Sequence, residues 1–135
     1  MPEMLADLYP NGRFVFIVRH PVDVIASKIS ARASEGIEAD SHTWVAQNTY
    51  FLTFFRENRE RCRIVHYEDL ISNDSKELHQ LFQWLGFSLS DRQRNIIQTT
   101  KPRYKGRPQP AKLTDDEVLS VNTITQKMRD ELGYS

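Results

Sequence analysis

The stretch from Arg13 to Ile29 constrains the fold more than any other part of the chain. Arg13-Phe-Val-Phe-Ile-Val18 is a short, nearly continuous apolar run that follows the turn-forming Pro10-Asn11-Gly12. Such a run predicts a strand over 13–18 buried on both faces, as strands of a parallel sheet are. Pro21 comes next, close to a helix's first turn, where its missing N–H costs nothing. Val22, Ile25, Ala26 and Ile29 then recur at helical spacing, with Asp23, Ser27 and Ser30 on the opposite face. A strand, a tight turn and an amphipathic helix in that order predict α/β architecture.

The rest of the chain reads mostly as helix. Residues 33–42 are expected to form a loop. A helix is predicted from Thr43 to about Arg61, with Trp44, Asn48, Phe51 and Phe55 along one stripe. Arg63-Ile-Val-His-Tyr67 predicts a second short strand, broken by Glu68-Asp69. A helix over 75–85 carries Leu78, Leu81, Phe82 and Leu85 on one face and stops at Gly86. Asp74 with Glu77, Ser90 with Gln93 and Thr114 with Glu117 have capping-box spacing. The last two pairs open helices over 91–100 and 115–132, the latter ended by Gly133. Between them, residues 101–112 form a basic loop with five cationic residues and no acidic one. Two strands are too few for a complete doubly wound sheet. Residues 1–135 therefore read as one partial domain cut from a larger one.

Composition narrows the function classes. Lys+Arg and Asp+Glu are both 18, so the net charge is zero and a broad attraction to nucleic acid or anionic lipid is not expected. Any anion site must be local. The one cysteine, Cys62, has no internal disulfide partner, and it and the four histidines show no metal-ligand spacing. No apolar run approaches the roughly 20 residues of a membrane helix. Residues 1–12 lack the charged start and apolar stretch of a signal peptide. A cytoplasmic setting is favoured, with the compartment of a longer parent left open.

The candidate site is Val18-Arg19-His20-Pro21-Val22-Asp23-Val24-Ile25-Ala26-Ser27. An Arg at the carboxyl end of a buried parallel strand stands where α/β folds bind ligands. The helix that follows is expected to turn free N–H groups and a positive dipole end toward an anion. Ser27 lies one turn beyond Asp23 on the polar face and could donate to a phosphate oxygen, while Arg19 supplies a planar fork. The plainer alternative is that Arg19 pairs with a carboxylate and Ser27 is merely solvated. Tyr67 is either a nucleobase contact or a core residue with a satisfied hydroxyl. Glu68 and Asp69, as neighbours on a strand, would face opposite ways and play structural roles. Asn48 reads as a buried hydrogen-bonding residue.

Arg19-His-Pro-Val-Asp-Val-Ile-Ala-Ser-Lys28 resembles the 3′-phosphate-binding motif of the PAPS-dependent sulfotransferases, with His20 in place of the more usual Asp or Asn. The likeness continues in order through Leu5–Pro10, Trp44, Val65-His-Tyr-Glu-Asp-Leu70, Phe82-Gln-Trp-Leu-Gly-Phe87 and Met128–Tyr134. It implies a P-loop-NTPase-like, three-layer parallel sheet, truncated here, with a helical C-terminal region and with strands 13–18 and 63–67 as parallel neighbours. It also implies that Arg19 and Ser27 hold the 3′-phosphate of PAPS or PAP and that Tyr67 lies near the nucleotide. Thr99-Thr100 would be the adenine-side pair. Arg103 and Lys105 would close over the 3′-phosphate, although Tyr104 splits them. The reaction implied is sulfuryl transfer from PAPS to a hydroxyl or amine without a metal. The acceptor, a small molecule, a glycan or a peptide, is left open.

The loop that cradles the 5′-phosphosulfate and the family's catalytic His have no counterpart in the sequence, nor does a Walker motif. No catalytic residue is therefore assigned, and the chain alone is expected to bind PAP weakly and transfer no sulfate. An uncovered sheet edge would favour self-association. Two other readings stay open: a P-loop kinase-like nucleotide-binding module, and a noncatalytic helical interaction domain that binds a partner through its aromatic stripe.

Overall fold

A computed structural model of the chain describes residues 2–71, 76–99 and 111–134. The order of elements is α1 (Pro2–Leu8), β1 (Phe14–Val18), α2 (Pro21–Ser30), α3 (Ile37–Glu57), a 3-10 turn (Arg59–Arg61), β2 (Cys62–His66), α4 (Tyr67–Leu70), α5 (Lys76–Trp84), α6 (Asp91–Thr99) and α7 (Asp115–Leu132). The result is an α/β chain, mostly helical, with a two-stranded parallel sheet. It divides into two compact units, Met1–Val18 with Asn58–Arg103, and Arg19–Glu57 with Tyr104–Ser135.

The first unit is built on the sheet. β1 and β2 run parallel, with Phe14 opposite Cys62 and Val18 opposite His66, as the resemblance implied. Phe16, Val18, Cys62 and Val65 are buried, but Ile17 is 57% exposed. β1 is thus not buried on both faces, because its apolar run hides a period-two alternation. Arginines fasten the loops. Arg61 donates to the carbonyls of Pro10 (2.7 Å) and Tyr9 (3.1 Å) at the end of α1 and lies over the Phe14 ring at 5.0 Å. Arg13 donates to the Trp84 carbonyl at the end of α5 and sits 5.3 Å from that residue's ring. Arg13 thereby satisfies a carbonyl that the end of α5 leaves open, and Arg61 binds the turn that follows α1. Gly86 (φ +85°) ends α5, with its N–H bonded to Gln83 O and that of Phe87 to Phe82 O. The accompanying contact is the edge-on Phe82–Phe87 ring pair, 6.3 Å apart.

Two sequence expectations are corrected here. The helix before β2 ends at Glu57, so Arg61 belongs to the 3-10 turn and Cys62 opens the strand. Tyr67, Glu68 and Asp69 form the first turn of α4 rather than a strand end. His66 Nδ1 lies 3.4 Å from Asp69 Oδ2, an i,i+3 pairing that a continued strand would not give.

The second unit packs α2, α3 and α7 around Ile25, Trp44, Leu52, Phe54, Val121 and Met128. Three of its buried polar side chains are satisfied within their own helices. Ser41 Oγ donates to Ile37 O, Asn48 Nδ2 to Trp44 O and Thr125 Oγ1 to Val121 O, at 2.7–2.8 Å. These i−4 bonds allow small polar residues inside a helix seam without orphaned donors.

The loop expected over 33–42 is shorter, because α3 begins at Ile37. Within Glu38–His42 the helix is concealed because its inward residues, Asp40 and Ser41, are polar. Asp40, 2% exposed, accepts from Lys28 of α2 and from Ser34 Oγ at 2.5 Å. Burial alone would raise the Asp40 pKa, but hydrogen bonds from Lys28, Ser34 and the Glu35 backbone, with the Lys28 charge, outweigh it and hold the carboxyl below its ordinary value.

The predicted caps of α6 and α7 are present. Thr114 and Glu117 form a reciprocal capping box, and Ser90 with Gln93 makes the same two bonds. Gly133 (φ +80°) closes α7 in the left-handed conformation. Arg32 does the same for α2 at φ +55° without being glycine, its N–H bonded to Ile29 O and that of Ala33 to Lys28 O. Asp74 of the expected Asp74–Glu77 capping pair and the body of the basic loop, with Thr100, Arg103 and Lys105, lie outside the described residues.

Candidate functional site

Arg19, His20 and Ser27 all belong to the second unit, where α2 carries Ser27 and two aromatic residues brace Arg19 and His20. His20 is the N-cap of α2 and Pro21 its first residue. The fixed φ of proline suits that position and starts the helix without a lost bond. Trp44 Nε1 of α3 donates to the Arg19 carbonyl at 3.1 Å, which fixes the backbone at the root of the guanidinium. The His20 ring meets Tyr134 edge-on, with centroids 5.4 Å apart and planes at 87°. Tyr134 is placed there by the turn at Gly133, which directs its N–H to Arg129 O.

Arg19 is half-buried and Ser27 exposed. Ser27 stands six residues beyond Pro21, roughly 9 Å along the helix axis. Asp23 is also exposed and sits one turn before Ser27 on the same face. Its carboxylate opposes an anion there and already complements the helix dipole.

The helix end offers less to an anion than expected. Asp23 and Val24 both donate to His20 O at 3.1 Å, and Pro21 has no N–H. The amides of His20 and Val22 are at most what remains. Lys28, one residue past Ser27, is held by Asp40. Arg19 carries the remaining positive charge of this segment.

Tyr67 is half-buried at the start of α4 in the first unit. Cys62 is buried as a free thiol; burial pushes its pKa up, against a smaller opposing effect of the Arg61 charge, and it stays protonated. Among the described residues no cluster of His, Cys, Asp and Glu could hold a metal ion, and no helix is long and apolar enough to cross a membrane.

Of the aromatic stripe, Trp44 is buried and Phe51 and Phe55 half-buried, while Leu52 and Phe54 are buried beside them. The second unit also has a cleft of about 370 Å³ between α3 and α7. Its charged rim is partly self-neutralised by Arg56–Glu131 at 2.8 Å.

The supporting roles of Trp44 and Tyr134 were not legible from the sequence. An indole N–H among helix-face aromatics, and an aromatic directly after a helix-ending glycine, were the available signals.

No curated protein matches the chain, and no solved structure does. The profile of the sulfotransferase family matches residues 2–91, a span that runs from α1 through β1, Arg19, Ser27, α3 and β2 to the start of α6. That span covers two thirds of the 135 residues, and the chain belongs to the sulfotransferase family.

Proposed function

We propose that this chain carries the 3′-phosphate-binding part of the cofactor site of a PAPS-dependent sulfotransferase that acts on a hydroxyl or amine acceptor. The observation that carries the reading is the fixed root of Arg19. Its carbonyl is tied to Trp44, its neighbour His20 is packed on Tyr134, and an exposed Ser27 hydroxyl follows on the same helix. In this reading the Arg19 fork binds two oxygens of the 3′-phosphate and Ser27 donates to a third. PAPS would supply the sulfuryl group, and the chain's own residues would only anchor the nucleotide. Tyr67, Thr100, Arg103 and Lys105 enter the proposal through the family resemblance alone.

The parallel pair β1–β2 is proposed as part of a three-layer, P-loop-like sheet, with residues 1–135 as the C-terminal part of that domain. The sequence holds no 5′-phosphosulfate loop. The 135 residues alone are therefore proposed to bind PAP and to turn over no PAPS.

The test compares PAP with 5′-AMP, which lacks only the 3′-phosphate, by chemical-shift titration. PAP should shift the amides around Arg19–Ser27 and bind at least tenfold more tightly than AMP. Equal affinity for the two, or tighter binding of ATP–Mg²⁺ than of PAP, would reject the assignment.

A further inference from the structure

The first unit contains a second concave site, remote in sequence from Arg19 and Ser27. It is a cleft of about 360 Å³ at the junction of α5 and α6, within the roughly 300–1,000 Å³ of small-molecule sites. One wall is aromatic. Phe82 and Phe87 meet edge-on across the turn at Gly86, and Phe87 is nevertheless 61% exposed. The turn's two backbone bonds fix the main chain at Phe87, and its ring keeps an exposed surface.

The opposite wall is cationic. Arg94 Nε donates to the Leu89 carbonyl at 3.1 Å, which orients the guanidinium and leaves its two terminal amino groups for other acceptors. Ser88 and Gln83 add a hydroxyl and an amide to the lining, and His79 an imidazole. No acidic side chain lines the cleft. It also lies beside the N-terminus of α6, where Asp91 offsets the positive end of the dipole, so Arg94 is the charge that counts.

We propose that this cleft binds a small aromatic monoanion, a flat ring bearing one carboxylate or sulfo head. The ring would lie against Phe87, and the head would take the paired N–H groups of Arg94. Aromatic contact and a charge-assisted fork are each modest alone; together at one site they select for a ligand that carries both. An aliphatic acid would lose the ring contact and a neutral arene the fork.

The probes are 2-naphthoate, 2-naphthalenesulfonate and the neutral, nearly isosteric 2-naphthamide, each titrated into the whole chain and followed by amide chemical shifts. At least one anion should bind at least fivefold more tightly than the amide, with the largest shifts between His79 and Arg94. Whichever anion binds more tightly names the head group. Arg94→Gln should weaken the anion roughly tenfold and leave the amide unchanged. Phe87→Leu should weaken all three, and circular dichroism on both variants checks that they fold. Three results would each overturn the proposal: no anion binding more tightly than the amide, the largest shifts falling outside His79–Arg94, or an unaltered anion affinity in Arg94→Gln. Binding of PAP at Arg19 is unaffected by any of these outcomes.

Discussion

Removing either partner of the Lys28–Asp40 pair should destabilise the second unit, and by unequal amounts. The side chain of Lys28 is 32% exposed and that of Asp40 only 1%. Asp40→Ala frees an ammonium that can turn into water. The loss is then the two hydrogen bonds to Lys28 and Ser34, about 1–2 kcal/mol. Lys28→Ala instead strands a buried carboxylate with Ser34 and the Glu35 backbone as its remaining donors. Breaking a buried pair this way costs about 3–5 kcal/mol, and the surviving donors place the expected value near 3. For a chain of this size that is a fall of roughly 10–15 °C in Tm for Lys28→Ala, against about 5 °C for Asp40→Ala. Urea denaturation followed by circular dichroism measures both.

The pH dependence supplies a second check on the same pair. The folded pKa of Asp40 is depressed, so its stabilisation is complete above the ordinary value of 3.8 and is lost as pH falls through the lower folded value. In Lys28→Ala, burial dominates and the folded pKa rises, so that variant gains relative stability as pH falls. The gap between it and the wild type should narrow on acidification. A larger loss in Asp40→Ala than in Lys28→Ala, or a gap constant down to pH 3, would refute the reasoning.

Three further substitutions probe the same unit. Arg32→Gly should raise stability by about 1 kcal/mol, because residue 32 sits at φ +55°, where a Cβ is strained; a lower urea midpoint would contradict this. Asp23→Asn should tighten PAP binding about threefold at low salt by removing the carboxylate one turn before Ser27, and less at high salt, as calorimetry would show. Trp44→Phe keeps most of the ring but loses the bond to the Arg19 carbonyl. It should cost about 1 kcal/mol of stability and weaken PAP severalfold, whereas unchanged PAP affinity would remove Trp44 from the site.

Where local chemistry decides the backbone, the sequence was readable. The Thr114–Glu117 box and Gly133 bound α7 at the expected residues, and the Arg13–Val18 run marked β1 to within one residue. It was less readable where polar residues turn inward. Glu38–His42 looked like loop because Asp40 and Ser41 are buried against partners that no hydrophobic period reveals. Tyr67–Leu70 looked like the end of a strand because one helical turn is too short to show a period. Arg19 and Ser27 became candidates through the family resemblance of the segment that carries them. The contacts of Trp44 with Arg19 and of Tyr134 with His20 are made across 25 and 114 positions of chain, which composition and periodicity do not encode.

Calorimetric titration of PAP into wild type, Arg19→Ala and Ser27→Ala bears most directly on the proposed site. The account predicts weak, saturable binding to the wild type, a loss of at least tenfold for Arg19→Ala and a smaller loss for Ser27→Ala. Affinity unchanged by Arg19→Ala, or a wild type that binds no PAP at millimolar concentration, would contradict it.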